Sequence, residues 1–177
     1  MIYSYINTNM VESFNKIEDS FLNEAVTKTK YGYNTGVSVK GKNITVLGGN
    51  NGPKKEDIEA NIDKIKESAK LLNANWNSIL DEAAKKHKKY IDNCYEGRKD
   101  NKEYIKMLDK YNTIEKAKKG LKYTGILLNT SKTINEVDSF TAFFDSEVMD
   151  KDMHSMFVEI DIMQNGKIKV TYITIEG

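Results

Sequence analysis

Five residues that could bind a cation or a basic partner crowd one ten-residue stretch. They are Asp145, Glu147, Asp150, Asp152 and His154. Hard cations prefer several oxygen ligands, but this spacing lacks the turn glycine and the final glutamate of a calcium-binding EF-hand loop. A solvated connection between two strands is the simplest interpretation. Among functions, an acidic surface for a basic protein partner is favoured over a metal site, because loops commonly carry recognition.

The other histidine, His87, lies within a run of four lysines at 85–89. Neighbouring positive charges disfavour a protonated histidine, so His87 could act as a base. No serine, cysteine or second histidine is placed to complete a local triad, and a histidine on a helix surface is the simpler interpretation. With two histidines and one cysteine, the chain has few ways to build a metal hydrolase.

Two patterns that resemble phosphate-binding sites lack their defining features. The glycine-rich stretch 48–55 does not have the G-x-x-x-x-G-K-[ST] form, because Pro53 follows its last glycine. The basic runs at 85–89 and 116–122 alternate with acidic runs and lack interleaved aromatic residues, so solvated helix faces explain them better than nucleic acid does. We therefore expect no cofactor and no nucleic-acid partner.

The composition is typical of a globular protein in water. Of 177 residues, 39% are hydrophobic and 30% are charged, and the net charge of +1 creates no field that favours nucleic acid or an anionic membrane. Cys94 is the single cysteine, so an internal disulfide is impossible and a reducing cytoplasm is expected. Residues 1–6 lack a basic region and a long apolar run, so neither a signal peptide nor a membrane span is expected.

The last 22 residues, 156–177, alternate apolar and polar positions on both sides of Gln164-Asn165-Gly166. A three-residue loop with Gly166 in a left-handed conformation brings the apolar sides of the two strands together, whereas a two-residue loop would not. The predicted pairs are Ile162 with Ile168, Ile160 with Val170, Val158 with Tyr172, and Asp161 with Lys169. The chain is therefore expected to close with a β-hairpin.

A first hairpin is predicted over residues 36–47. The proposed turn is the two-residue loop Gly41-Lys42, in which Gly41 takes a positive φ. The predicted pairs are Val39 with Ile44 and Val37 with Val46.

A heptad-like seam predicts helix after Pro53, with Glu56 and Asp57 near the positive end of the helix dipole. Its apolar positions recur at alternating spacings of four and three. They are Ile58, Ile62, Ile65, Ala69, Leu72, Trp76, Ile79 and Ala83. Asn73 and Asn75 leave open whether this segment is one helix or a helical pair. The seam could lie on a sheet or form a coiled-coil dimer, and the sheet is favoured because its inner face needs covering.

The remaining pattern completes an α+β fold. Helices are predicted over 9–27 and 102–119, with Gly120 as a stop, and strands over Lys122–Leu128 and Ser139–Phe144. The prediction is one domain spanning 1–177, with an antiparallel sheet made of an N-terminal hairpin and a C-terminal meander. Helices pack on one face of this sheet.

This layout resembles a family of uncharacterised bacterial α+β domains, which have an N-terminal hairpin, a helical middle with a tryptophan and a C-terminal meander. The matching residues are Phe143, Asp145, His154, Val158, Gly166, Ile175 and Gly177. The pattern is also similar to that of immunity proteins encoded beside polymorphic toxins. The resemblance implies a protein that neutralises a toxin domain.

The favoured hypothesis is a non-catalytic cytoplasmic protein-binding module that acts by steric and electrostatic occlusion. The predicted partner-binding residues are Asp145, Glu147, Asp150, Asp152 and His154. Two alternatives stay open. One is a metal-dependent enzyme that uses the acidic segment 145–154, and the other is a structural module that dimerises through the seam at 58–83.

Overall fold

The structure, a computed structural model, describes residues 25–49, 52–130 and 133–177. Within these residues seven strands form one sheet in the order of the chain. The strands are β1 (Thr27–Lys28), β2 (Gly32–Val39), β3 (Lys42–Leu47), β4 (Lys122–Leu128), β5 (Ser139–Asp145), β6 (Ser155–Ile162) and β7 (Ile168–Glu176). Neighbours are antiparallel except β3 and β4, which are parallel. The α+β prediction is confirmed, and the single parallel pair joins the first hairpin to the meander.

Six helices accompany the sheet in the described part of the chain. They are α1 (Lys55–Ala60), α2 (Ile62–Ala74), α3 (Trp76–Gly97), α4 (Lys102–Asp109), α5 (Ile114–Gly120) and α6 (Glu147–Lys151). The first five connect β3 to β4, as the crossover between parallel strands requires. None of the six has the length and apolar character needed to cross a bilayer.

The seam is divided among three helices. It is interrupted at Asn61 and at Asn75, where each side-chain amide donates to a carbonyl four residues earlier, both at 2.8 Å. At the second interruption the backbone N–H of Asn75 donates to the same carbonyl, that of Leu71, at 3.1 Å. Ile65, Leu72 and Ile79 are fully buried in the cluster that also contains the inner side chains of the sheet. The seam therefore covers the sheet of its own chain.

The first hairpin forms where it is predicted, but its predicted register is wrong. The turn residues are Lys40 and Gly41, with φ of 48° and 78°, and Val39 pairs with Lys42 instead of Ile44. Lysine tolerates this left-handed conformation because its backbone N–H donates to the side-chain oxygen of Asn73 on α2, at 2.9 Å.

Further along the first hairpin, a bulge in β2 changes the register again. The register shifts between Asn34 and Ser38, where Gly36 has a φ of 73°. The shift lets the hydroxyl of Thr35 donate to the carbonyl of Ile44 at 2.8 Å and keeps Val37 and Val39 on the buried face. The buried face is therefore the predicted one, although the partners differ.

In the last hairpin, the three-residue loop and most of the register are confirmed. Gly166 has a φ of 76°, and Ile162 pairs with Ile168, Asp161 with Lys169 and Ile160 with Val170. The predicted pair of Val158 with Tyr172 is wrong. A bulge at Thr171 sets Val158 opposite Ile173 and leaves Tyr172 exposed.

The other predicted elements are present with three changes. Most of the predicted helix at 9–27 lies outside the described residues, and its last residue, Thr27, begins β1. The predicted helix at 102–119 is divided into α4 and α5, and α5 ends at Gly120 as predicted. A β-carbon at Gly120 would lie 2.6 Å from the ring of Tyr111, so any other residue there would displace that ring. The segment after β5 contains the short helix α6 instead of a loop, because Ser146 caps it.

A second, smaller core positions the segment that was expected to carry function. It joins side chains of α3, α4, α5 and α6 apart from the main core on the sheet. Its buried members are Ile91, Tyr104, Met107, Leu108, Ala117 and Val148. Through Val148, α6 therefore packs against the second half of α3 and against α4 and α5.

Candidate functional site

The carboxylate of Asp152 joins three elements at the end of α6. Its Oδ2 accepts hydrogen bonds from the hydroxyls of Tyr90 on α3, at 2.8 Å, and Tyr104 on α4, at 3.0 Å. Its Oδ1 pairs with the guanidinium of Arg98, which also lies over the Tyr104 ring at 4.5 Å. Together with His154, these residues form what we call the Asp152 junction.

The electrostatics of this junction keep Asp152 ionised. Burial alone would raise the pKa of its carboxyl, but hydrogen bonds from Tyr90 and Tyr104 and the charge of Arg98 outweigh burial and lower the pKa. The same desolvation, together with the hydrogen bonds to Asp152, raises the pKa of both tyrosines. At neutral pH the tyrosines are therefore protonated donors and Asp152 is a charged acceptor.

His154 is held by the same tyrosine. Its Nδ1 lies 3.0 Å from the hydroxyl oxygen of Tyr90, and the two rings meet edge to face at 5.9 Å. Because the Tyr90 hydroxyl donates its hydrogen bond to Asp152, its oxygen accepts from His154 Nδ1–H. Gly177 packs on the other side, and a β-carbon there would lie 2.2 Å from His154 Cδ2. Two residues of the family-like pattern, His154 and Gly177, are thus in contact.

Between the two anchored residues the chain exposes a methionine. Met153 has a φ of 58° and its side chain is 86% exposed. We call residues 152–154 the Met153 turn. The left-handed conformation of a residue with a long side chain costs about 1–2 kcal/mol. The anchors of Asp152 and His154, and a backbone bond from His154 N to the carbonyl of Met149 at 2.9 Å, hold the turn in this conformation.

An open groove of about 590 Å³ runs beside the Met153 turn, between the end of α3 and residues 151–154. Arg98 and Lys151 supply positive charge to its lining, and Cys94 lies in its wall with Sγ 4.0 Å from Asp152 Oδ2. Among residues 25–49, 52–130 and 133–177, no three His, Cys, Asp or Glu side chains form a set able to hold a metal ion. Charged, polar and apolar residues line this open groove.

The structure brings together only two of the five predicted site residues. Asp152 and His154 meet through Tyr90. Asp145 instead accepts from the hydroxyl of Ser155 on β6, at 2.8 Å. Glu147 accepts from the Tyr111 hydroxyl at 2.7 Å and pairs with Lys110 at 3.3 Å, whereas Asp150 is exposed on α6. Glu147 is therefore bonded to residues that follow α4, whereas Asp145 is bonded to β6.

Sequence reasoning missed Tyr90, Arg98 and Tyr104, which make the site with Asp152. They lie 62, 54 and 48 residues from Asp152 along the chain, so no local motif contains them. A signal was nevertheless present, because Tyr90, Cys94 and Arg98 recur every four residues and so share one side of α3 and its end. These polar residues follow the apolar seam, which ends at Ala83 in the same helix.

His87 lies on α3, beside the residue that caps α6. It is fully buried, so the predicted position on a helix surface is wrong. Its Nδ1 lies 3.0 Å from the carbonyl oxygen of Ala117, and its Nε2 lies 2.9 Å from the hydroxyl of Ser146. A carbonyl can only accept, so Nδ1 carries the proton and Nε2 accepts from Ser146. Ser146 in turn accepts from the N–H of Met149, at 3.1 Å, and caps α6. We call His87, Ala117 and Ser146 the Ser146 junction.

Burial sets the protonation of His87. It lowers the pKa of the imidazole and outweighs the opposing hydrogen bond to Ala117, so the ring is neutral at pH 7. This cause differs from the expected one, which was repulsion by the neighbouring lysines. Ser146 and His87 have the atoms of a nucleophile and a base, but both side chains are buried and fully bonded. The pair ties α3 to the start of α6.

We compared the chain with known proteins, and no family model, curated protein or solved structure matches it.

Proposed function

We propose that this protein is a non-catalytic protein-binding module and that the Met153 turn is the centre of its contact surface. One observation carries the proposal. An apolar side chain, 86% exposed, is held in a left-handed conformation between two residues that are bonded to the body of the protein. Strained backbone of this kind is found at functional sites when the surrounding structure enforces it.

The anchors make the turn suitable for binding. Asp152 is fixed by three donors and His154 by Tyr90, so the backbone on both sides of Met153 is ordered before a partner arrives. A preorganised turn loses less conformational entropy on association than a mobile loop. The methionine side chain itself is unbranched and adapts to apolar pockets of different shape.

The proposed partner is a protein domain, and the resemblance to immunity proteins implies that it is a toxin. Occlusion of a toxin needs a rigid contact and charges that complement the partner. Around the Met153 turn, Asp150, Lys151 and Arg98 offer charges of both signs. A cytoplasmic location, with no nucleic-acid partner, belongs to the same proposal, because Cys94 is unpaired and the net charge is +1.

The test begins with the products of the adjacent genes. Each is titrated into the chain by calorimetry, and one is expected to bind with a Kd below about 1 μM. Substitution Met153→Asp is expected to weaken that complex at least about 30-fold, because it removes a central apolar anchor. The matched control is Met163→Asp, at a second exposed methionine in the last hairpin, which is expected to leave the Kd unchanged.

Two results would overturn the proposal. If no product of an adjacent gene binds, the proposed protein-binding function is refuted. If one binds and Met153→Asp behaves like Met163→Asp, the contact surface lies elsewhere. The toxin identity has a separate readout: co-expression of the chain is expected to restore growth to cells that express the binding partner, and unchanged toxicity would refute neutralisation.

A further inference from the structure

β7 ends the sheet with an edge that no described strand covers. It has nine residues, contains neither proline nor glycine, and carries only two charges, Lys169 and Glu176. An edge strand of this length presents a row of backbone N–H and C=O groups that can pair with another strand. Natural proteins usually protect such edges with several charges or with proline, and here the only irregularity is the bulge at Thr171.

At the same edge, the apolar face of the sheet is only partly covered. Val158 and Ile160 of β6 are fully buried, whereas the aliphatic side chains of β7 on that face are only partly buried. These side chains are Ile168, Val170, Ile173 and Ile175. Additional apolar side chains beside them would remove more surface from water and stabilise the arrangement.

The bulge makes the pattern of β7 self-complementary. When two copies run antiparallel about a twofold axis between positions 171 and 172, every pair joins residues of the same face. The pairs are Ile168 with Ile175, Lys169 with Thr174, Val170 with Ile173, Thr171 with Tyr172 and, just outside the strand, Lys167 with Glu176. Without the bulge, one half of the strand would place its polar side chains opposite the apolar ones of its partner.

We propose that β7 pairs antiparallel with β7 of a second copy of this chain, so that the two sheets become one. Self-complementarity is what a twofold homodimer interface requires, and each of the five pairs occurs twice in it. The two ends carry opposite charges, Lys167 against Glu176, and both side chains are exposed in the single chain. The carboxylate of Glu176 already lies along the strand, because it accepts from the hydroxyl of Thr174 at 3.0 Å.

The first measurement is the mass of the full chain by sedimentation and light scattering over a range of concentrations. The expected result is a concentration-dependent species with twice the chain mass of 20.2 kDa. Dimer formation should be complete at chain concentrations well below about 100 μM.

A charge exchange then identifies the surface. Lys167→Glu alone and Glu176→Lys alone each create two like-charge contacts per dimer and are expected to weaken dimerisation about tenfold. The double variant exchanges the charges and is expected to restore the original dissociation constant. Lys119→Glu, at an exposed lysine of α5, is the matched control for the change in net charge and is expected to have no effect.

The outcomes are decisive in both directions. A monomer at every concentration overturns the proposal, and so does a dimer that responds equally to Lys167→Glu and Lys119→Glu. A double variant that remains as weak as the single variants would also refute the proposed register. None of these results changes the expected binding at the Met153 turn, which is measured with the adjacent gene products.

Discussion

The Ser146 junction and the Asp152 junction attach the two ends of α6 to the same helix, α3, but they differ in character. At the first, a neutral histidine is fully buried and every hydrogen-bonding atom shown has a neutral partner. At the second, a charged carboxylate meets a guanidinium and two hydroxyls beside an open groove. One end of α6 is therefore sealed and the other is presented to solvent.

Burial and charge determine what each junction contributes to the protein. Removing one partner from a buried neutral network leaves an unsatisfied polar group and a cavity, so the Ser146 junction is expected to matter for stability. An ion pair with an exposed member is worth less, because water competes for its charges. The Asp152 junction is therefore expected to fix the orientation of the Met153 turn more than it stabilises the fold.

The largest effect is expected at His87. His87→Ala removes the acceptor of Ser146 and the donor to Ala117 and opens a cavity, so the free energy of unfolding should fall by about 3 kcal/mol. His154→Ala is the matched control and should cost about 1 kcal/mol, because water can replace its single bond to Tyr90. Urea denaturation measures both. Equal losses would erase the distinction between the two junctions.

A smaller loss is expected at Asp152. Asp152→Ala leaves the hydroxyls of Tyr90 and Tyr104 and the guanidinium of Arg98 without their common acceptor, which should cost about 2 kcal/mol in free energy of unfolding. Asp152→Asn keeps an acceptor oxygen and should cost about 1 kcal/mol. A loss at Asp152→Ala larger than that at His87→Ala would contradict the assignment of stability to the Ser146 junction.

The two junctions should also respond to acid in different ranges of pH. The pKa of His87 is lowered from 6.5 by burial, so the unfolded chain takes up a proton first and stability is lost as the pH falls below 6.5. The pKa of Asp152 is lowered from 3.8, so its contribution is lost only as the pH falls below about 4. Unfolding curves from pH 8 to 3 should show both steps.

The variant His87→Gln isolates the first step. It cannot titrate, so the loss of stability that begins as the pH falls below 6.5 should disappear, while the later loss below about pH 4 remains. Persistence of the first step in this variant would mean that another group causes it.

The smallest effect is expected at Met153. Met153→Gly removes the strain of a positive φ and should raise the free energy of unfolding by about 0.5–1 kcal/mol, whereas Met153→Ala should leave it nearly unchanged. Thermal unfolding of the two variants side by side measures the difference. A stability loss in the glycine variant would show that the conformation of the turn is not strained.

The sequence allowed prediction where pattern and turn chemistry act over a few residues. The pairing of Ile162 with Ile168 is predictable because Gly166 and the alternation of the strands require the same loop. Lys40 was missed as a turn residue because its N–H bonds to Asn73, 33 residues away. Tyr172 was misplaced because the bulge at Thr171 changes the face of each residue that follows it.

The candidate site shows the same limit. Local composition singles out Asp152 and His154, but Tyr90 and Tyr104, which bond to them, come from helices far along the chain. The burial of His87 depends on α5 and α6 packing over it, and its lysine neighbours gave no sign of that. Tertiary contacts decide which polar residues become a site, whereas local pattern decides the elements that carry them.

Amide hydrogen exchange, measured with and without the adjacent gene product that binds, shows whether the Met153 turn is the contact surface. The turn held by the Asp152 junction should gain protection on binding, with the largest change at Met153 and His154, while amides around the Ser146 junction are already protected and should change little. If binding protects only amides of the sheet and none at residues 152–154, the contact surface is not the Met153 turn.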